Sequence, residues 1–103
     1  MKSQRVEALE EVADDLRYAY DYYSSWRLDG ASYFRGQFDE AVGWIEWNPE
    51  LFPKKYRMFR RAIVRNTYFA IFYVIEPDVT TIVAVIDLRQ RPSRIRRLVF
   101  GRQ

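Results

Sequence analysis

Two runs in the second half of the chain are apolar at odd and even positions alike: Tyr68–Ile75 (YFAIFYVI) and Thr80–Leu88 (TTIVAVIDL). Their β-branched and aromatic residues suit a pleated, packed surface, and Glu76-Pro77-Asp78-Val79 between them is turn chemistry. The pattern therefore predicts two antiparallel strands. A shorter, arginine-studded run beginning at Tyr56 predicts a third strand before them. Strands that are apolar on both sides must be covered on both faces or lie at the centre of a sheet. The rest of the chain has to supply that cover.

The first half has a helical period instead. From Glu10 to about Trp26, residues Val12, Leu16, Ala19, Tyr20 and Tyr23 fall on one face, with Glu11, Asp14, Asp15 and Asp21 elsewhere. Glu10 and Glu11 are expected in the first turn, where the helix dipole favours negative charge. Leu28-Asp29-Gly30 reads as a connector, with Asp29 as the N-cap of a second helix from about Ala31 to Trp47. Phe34, Phe38, Ala41 and Ile45 form its apolar stripe, and Asn48-Pro49 ends it. Gly36 and Gly43, seven apart, suggest a face where two helices approach closely. Residues 3–9 read as a short edge strand with Val6 inward, and Pro92-Ser93 as the start of a short C-terminal helix with a basic exposed side. The expected fold is α+β: a helical hairpin packed on a small antiparallel sheet, made of an N-terminal edge strand and a three-strand meander, with a short basic tail.

At 103 residues this is expected to be one domain, 1–103, long enough for a single core. The absence of cysteine removes any disulfide framework and is compatible with a reducing compartment. The start, MKSQRVEALEEV, carries charge where a signal peptide needs an apolar segment, and no apolar run approaches the ~18 residues of a membrane helix. These features lead us to expect a soluble cytoplasmic protein with no membrane partner. The chain has no histidine, so Ser-His and Cys-His nucleophile pairs are impossible, and a zinc site would need carboxylates alone. Asp14-Asp15 is a poor metal site, because neighbouring helix positions diverge by ~100°. No metal and no cofactor is expected.

Charge is unevenly distributed. Residues 1–50 carry 5 Lys/Arg against 11 Asp/Glu, whereas residues 51–103 carry 12 against 3. Either the two halves attract each other within one fold, or the second half presents a basic surface to a polyanion or an acidic partner. The size of the excess favours the second reading.

The order of elements and the words VEALEEVADDLRYAYDYY, FDEAVGWIEWNPELFPKKY, FRRAIVRNTYFAIFYVIE and TTIVAVIDLRQRPSRI resemble the RelE/ParE superfamily of toxins from bacterial toxin–antitoxin pairs. The resemblance covers nearly the whole chain. The series ADDL…AYDYY, NPELFP, RRA, Y-AIFY and R-RP looks like the ParE side, which includes plasmid stabilisation proteins. The resemblance implies a compact toxin held inactive by a cognate antitoxin whose C-terminal segment wraps its helices and sheet. ParE-like members poison DNA gyrase; RelE-like members cleave mRNA on the ribosome. A homodimer or a toxin–antitoxin hetero-oligomer is compatible with either.

For metal-free RNA cleavage the chain offers Arg60, Arg61, Arg65 and Arg89 as cations and Tyr68 as the proton-transfer group. RelE-like nucleases use a tyrosine or histidine near the C-terminal end, where this chain has only Phe100. Tyr68 and Tyr73 stand in an apolar strand pattern that packing explains. The sequence therefore points to binding of gyrase or antitoxin rather than catalysis. Lys54, Lys55, Arg57, Arg60, Arg61, Arg65, Arg89, Arg91 and Arg94 are the candidate contacts. Arginine's planar fork suits carboxylates and phosphates equally. Trp26, Trp44 and Trp47 exceed what a small core needs, and Trp44 is the expected interface anchor. Arg102, at the tail end, is taken as a neutral comparison for charge reversal at Arg60 or Arg61.

Overall fold

In a computed structural model, which describes residues 4–102, the elements follow in the order β1 (Val6–Ala8), α1 (Val12–Ser24), α2 (Gly30–Trp47), β2 (Lys54–Tyr56), β3 (Phe59–Ile63), β4 (Phe69–Ile75), β5 (Thr80–Asp87) and α3 (Pro92–Gly101). The five strands form one sheet in the order β1-β5-β4-β3-β2. The expected meander is β3-β4-β5, and β1 is the edge strand, though it runs parallel to β5. Ser3, included in the expected strand, lies outside the described residues. Lys54–Tyr56 adds a second edge strand that the sequence pattern did not reveal, because three residues with two lysines carry no alternation.

The helical hairpin covers one face of the sheet and α3 the other. Val12, Ala19 and Tyr23 of α1 and Phe34, Phe38, Ala41 and Ile45 of α2 share a core with Ala62, Val64, Phe69, Ile71 and Tyr73. Phe69 meets the rings of Phe34 and Tyr23 at centroid separations of 5.3 and 6.1 Å. On the opposite face, Ile95 and Val99 of α3 pack over Phe59, Ala70, Phe72, Val74, Val83, Ala84 and Ile86. The double-sided apolar pattern of β4 and β5 is thus matched by cover on both faces. One register shift breaks the alternation: Phe72 pairs with Ala84 but Tyr73 with Ile82, so Val83 is an extra residue and both Val83 and Ala84 face α3.

Three local expectations are corrected. The helix hairpin closes at Gly30, where a Cβ would overlap the Tyr23 carbonyl, while Gly36 and Gly43 face open space. Asp29 occupies the N-cap position of α2 without a side-chain cap; its carboxylate pairs with Arg27 at 2.5 Å instead. In α1 the acidic first turn is supplied by Asp14 and Asp15, since Glu10 and Glu11 precede the helix.

Candidate functional site

The segment after α2 is pinned by two residues from the sheet. The Tyr73 hydroxyl donates to the Pro49 carbonyl at 2.6 Å, and Arg60 Nη1 donates to the Phe52 carbonyl at 2.7 Å and the Glu50 carbonyl at 3.4 Å. Tyr73 is fully buried, and burial pushes its hydroxyl up to about 12. A phenol so placed neither gives nor takes a proton near neutral pH. Arg60 acts here as a strut for the turn.

The pinned turn presents Leu51 and Phe52 beside α2. With Glu40, Ala41 and Trp44, and with Ile63 and Arg65 of the β3 end, they line an apolar groove of about 420 Å³. A second hollow of about 310 Å³, sharing Phe52 and Ile63, is lined by Pro53, Lys54, Lys55 and Arg61. The two form one surface with an apolar floor and a basic rim. Trp44, Leu51 and Ile63 are 47%, 46% and 49% exposed, and Trp47 meets Trp44 edge to face at 5.9 Å. Together they put apolar surface in contact with solvent beside the groove. Arg65 reaches only 3.8 Å from Glu40, and both are largely exposed, so that cation remains available.

At the end of β5, Arg89 forms a forked pair with Asp87, Nε–Oδ1 3.0 Å and Nη2–Oδ2 2.7 Å. Burial alone would raise the Asp87 carboxyl, yet hydrogen bonds from the Arg89 side chain and backbone bring it below its ordinary value. The guanidinium lies 4.1 Å from the Tyr68 ring centroid and 4.8 Å from that of Tyr22, whose hydroxyl it also meets at 3.0 Å. Tyr68 is thus a half-exposed platform for Arg89 rather than a core residue; β4 begins one residue later.

No protein-family model matches this sequence. No curated protein matches it either. Among solved structures, a chain from the chromosomal ParDE TA system of P. aeruginosa matches with a TM-score of 0.70 and 16% identity, over 84% of this chain and 97% of that one. The fold is ParE-like.

On this ParE-like scaffold the expected basic residues fall into separate groups. Lys54, Lys55, Arg61 and Arg65 gather with Trp44 around the apolar groove. Arg89 is committed to Asp87 and two tyrosine rings. Arg91 and Arg94 belong to a different hollow, at the start of α3. Arg57 sits in the β2–β3 turn at φ 48. Of the five residues considered for RNA cleavage, Tyr68 and Arg89 are in contact, while Arg60 is taken up by the turn carbonyls. Phe100, where the tail lacks a tyrosine, packs against Phe59 at 5.5 Å. Sequence reasoning overlooked Leu51 and Ile63 as groove residues; their apolar neighbours in sequence made them indistinguishable from core. No described helix is long and apolar enough to cross a membrane.

Proposed function

We propose that this chain is the toxin of a type II toxin–antitoxin system, neutralised by a cognate antitoxin and acting by binding DNA gyrase. The observation that carries the toxin reading is the ParE-like fold over nearly the whole of a chain from a ParDE system, joined to the sequence words that resemble ParE. The apolar groove with its basic rim suits an amphipathic, acidic antitoxin segment: Trp44, Leu51 and Ile63 offer anchoring surface, and Lys54, Lys55, Arg61 and Arg65 match carboxylates.

The gyrase reading is favoured over mRNA cleavage by the state of the proton-transfer candidates. Tyr68 is taken up as the platform under the Arg89 guanidinium, Tyr73 is buried and raised to about 12, and the tail carries Phe100 where a tyrosine or histidine would be needed. Such a protein belongs in the cytoplasm, with its target. Purified chain added to a gyrase supercoiling reaction and to a translation mixture tests the reading. Gyrase-dependent cleaved DNA with intact mRNA is the expected result. Cut mRNA with unaffected gyrase would replace it with the RelE-type activity, and neither effect, with antitoxin binding retained, would leave a non-toxic binding module.

A further inference from the structure

Two groups stand out among the arginines of this chain, besides those of the groove and the struts already described. Arg5, Arg17, Arg27 and Arg35 of the first half each lie within ion-pair distance of a carboxylate. Arg57, Arg91, Arg94, Arg96 and Arg97 are exposed, and among the described residues they have no carboxylate partner. These five lie on and beside one helix. Arg94, Arg96 and Arg97 fill the arc of α3 opposite its buried residues Ile95 and Val99. Arg91, Arg94 and Arg97, with Gln90, Ser93 and the partly buried Leu98, line a hollow of about 580 Å³. On the other flank, Arg96 and Arg57 both stand over the ring of Phe100, 5.5 and 5.8 Å from its centroid. Two guanidiniums sharing one ring without a counter-charge repel each other. An ordinary solvated face intersperses the two signs, as α1 and α2 do here. Nor does the arrangement serve the helix, whose dipole favours carboxylates in a first turn that has none.

We propose that the outward arc of α3, together with Arg57, binds the phosphodiester backbone of a nucleic acid. Phosphates need closely spaced cations and no apolar anchor, whereas a peptide partner is held chiefly by buried apolar and aromatic side chains. None of the exposed large apolar residues lies on α3; Trp44, Leu51 and Ile63 belong to the separate groove. The helix is a rigid carrier, fixed by Ile95 and Val99 below and at its end by Arg102, which pairs with Asp15. The proposal deepens the gyrase reading by giving the toxin its own hold on the DNA that gyrase grips. It rests on that reading only for which nucleic acid is met.

The test is fluorescence anisotropy of a labelled short DNA duplex, and of an RNA duplex of equal length, titrated with purified chain at graded salt and without gyrase. Binding should weaken with salt at a slope of about 0.9 per phosphate neutralised, and the R94A/R97A variant should lower that slope by close to 0.9 per arginine removed. R17A/R35A removes the same charge from exposed sites on α1 and α2 and should leave the slope unchanged. All these side chains are exposed, and unchanged circular dichroism would show that the fold is retained. Absence of salt-dependent binding, or equal effects of the two double variants, overturns the proposal. DNA and RNA share the phosphodiester chemistry; preference for the RNA duplex would keep the α3 surface while counting against its use on gyrase-held DNA. The supercoiling reaction with unaltered chain judges the gyrase reading separately. If it is positive but R94A/R97A poisons gyrase at the same concentration, the DNA hold is no part of the action.

Discussion

Asp15 and Arg102, 87 positions apart, form a forked ion pair, with Nη1–Oδ2 at 2.5 Å and Nη2–Oδ1 at 2.9 Å. The pair also repairs the sheet. β1 ends at Ala8, opposite Ile82, just where Val83 is inserted into β5, so the following backbone lacks a strand neighbour on that side. Asp15 Oδ2 accepts the Val85 N–H at 2.9 Å, and Arg102 Nη1 donates to the Val83 carbonyl at 3.1 Å. One carboxylate and one guanidinium thus tie α1, the bulge of β5 and the end of α3 together. Their side chains are 13% and 16% exposed, so solvent screens the pair little.

Removing one partner leaves the other charge and a bulge backbone group without their bonds. Arg102→Ala and Asp15→Ala should each lower stability by roughly 3 kcal/mol, and the double variant should cost clearly less than the sum. Urea unfolding midpoints of the four proteins measure this. Single-variant losses under about 0.5 kcal/mol would reduce the pair to a surface contact. Arg102 is therefore unsuitable as a neutral comparison for charge reversal. Arg5, paired on the exposed β1 edge, serves better.

The helix hairpin supplies a second prediction. A Cβ on Gly30 would overlap the Tyr23 carbonyl, a backbone group that cannot rotate away. Gly30→Ala should therefore destabilise by about 1–3 kcal/mol through overpacking. Gly36→Ala and Gly43→Ala meet open space on α2, and should stabilise by up to about 1 kcal/mol through helix propensity. Thermal melts that rank the three variants otherwise would contradict this account of where the helices touch.

The same glycines explain what the sequence made legible. Period and residue type located both long helices, the meander and α3, because each buries an apolar stripe or run. The hairpin's point of contact was misread because spacing on a helix identifies a face without saying what faces it. β2 was missed because it is short and charged, and the bulge at Val83 because Thr80–Leu88 is apolar throughout, so a slipped register leaves no trace in the pattern. The basic residues were recognisable as a set. Their division into struts (Arg60, Arg89, Arg102) and unpaired cations depended on carbonyls and carboxylates distant in sequence.

Tyr73 gives a pH signature. Its hydroxyl, ordinarily near 10.0, is raised to about 12 by burial. Below the unfolded value both states are protonated and stability is unaffected. Between pH 10 and 12 the unfolded chain loses this proton while the folded one retains it, so stability must fall as pH rises. The loss is on the order of 2–3 kcal/mol across the window. Tyr73→Phe should remove that part of the fall, at a cost of about 1 kcal/mol near neutral pH for the lost bond to Pro49. Denaturation at matched pH, with phenolate absorbance followed in parallel, separates the two effects.

The groove prediction turns on Trp44, which is half-exposed, and Arg61, which is only partly buried. Trp44→Ala should leave the melting temperature nearly unchanged, since Trp44 is 47% exposed, yet weaken binding of an antitoxin segment by roughly 1–3 kcal/mol, about five- to 150-fold. Arg61→Glu should act in the same direction, with a strong salt dependence, because it reverses charge on the rim, and among the described residues Arg61 has no carboxylate partner to release. Arg60→Glu is the informative contrast. It takes the strut from the Phe52 and Glu50 carbonyls, so its effect should appear in stability and in the shape of the groove together. Calorimetric titration of each variant with the antitoxin's C-terminal peptide, beside its urea midpoint, resolves these cases. If Trp44→Ala and Arg61→Glu bind as tightly as the unaltered chain, the antitoxin does not use this groove, whatever the toxin's target.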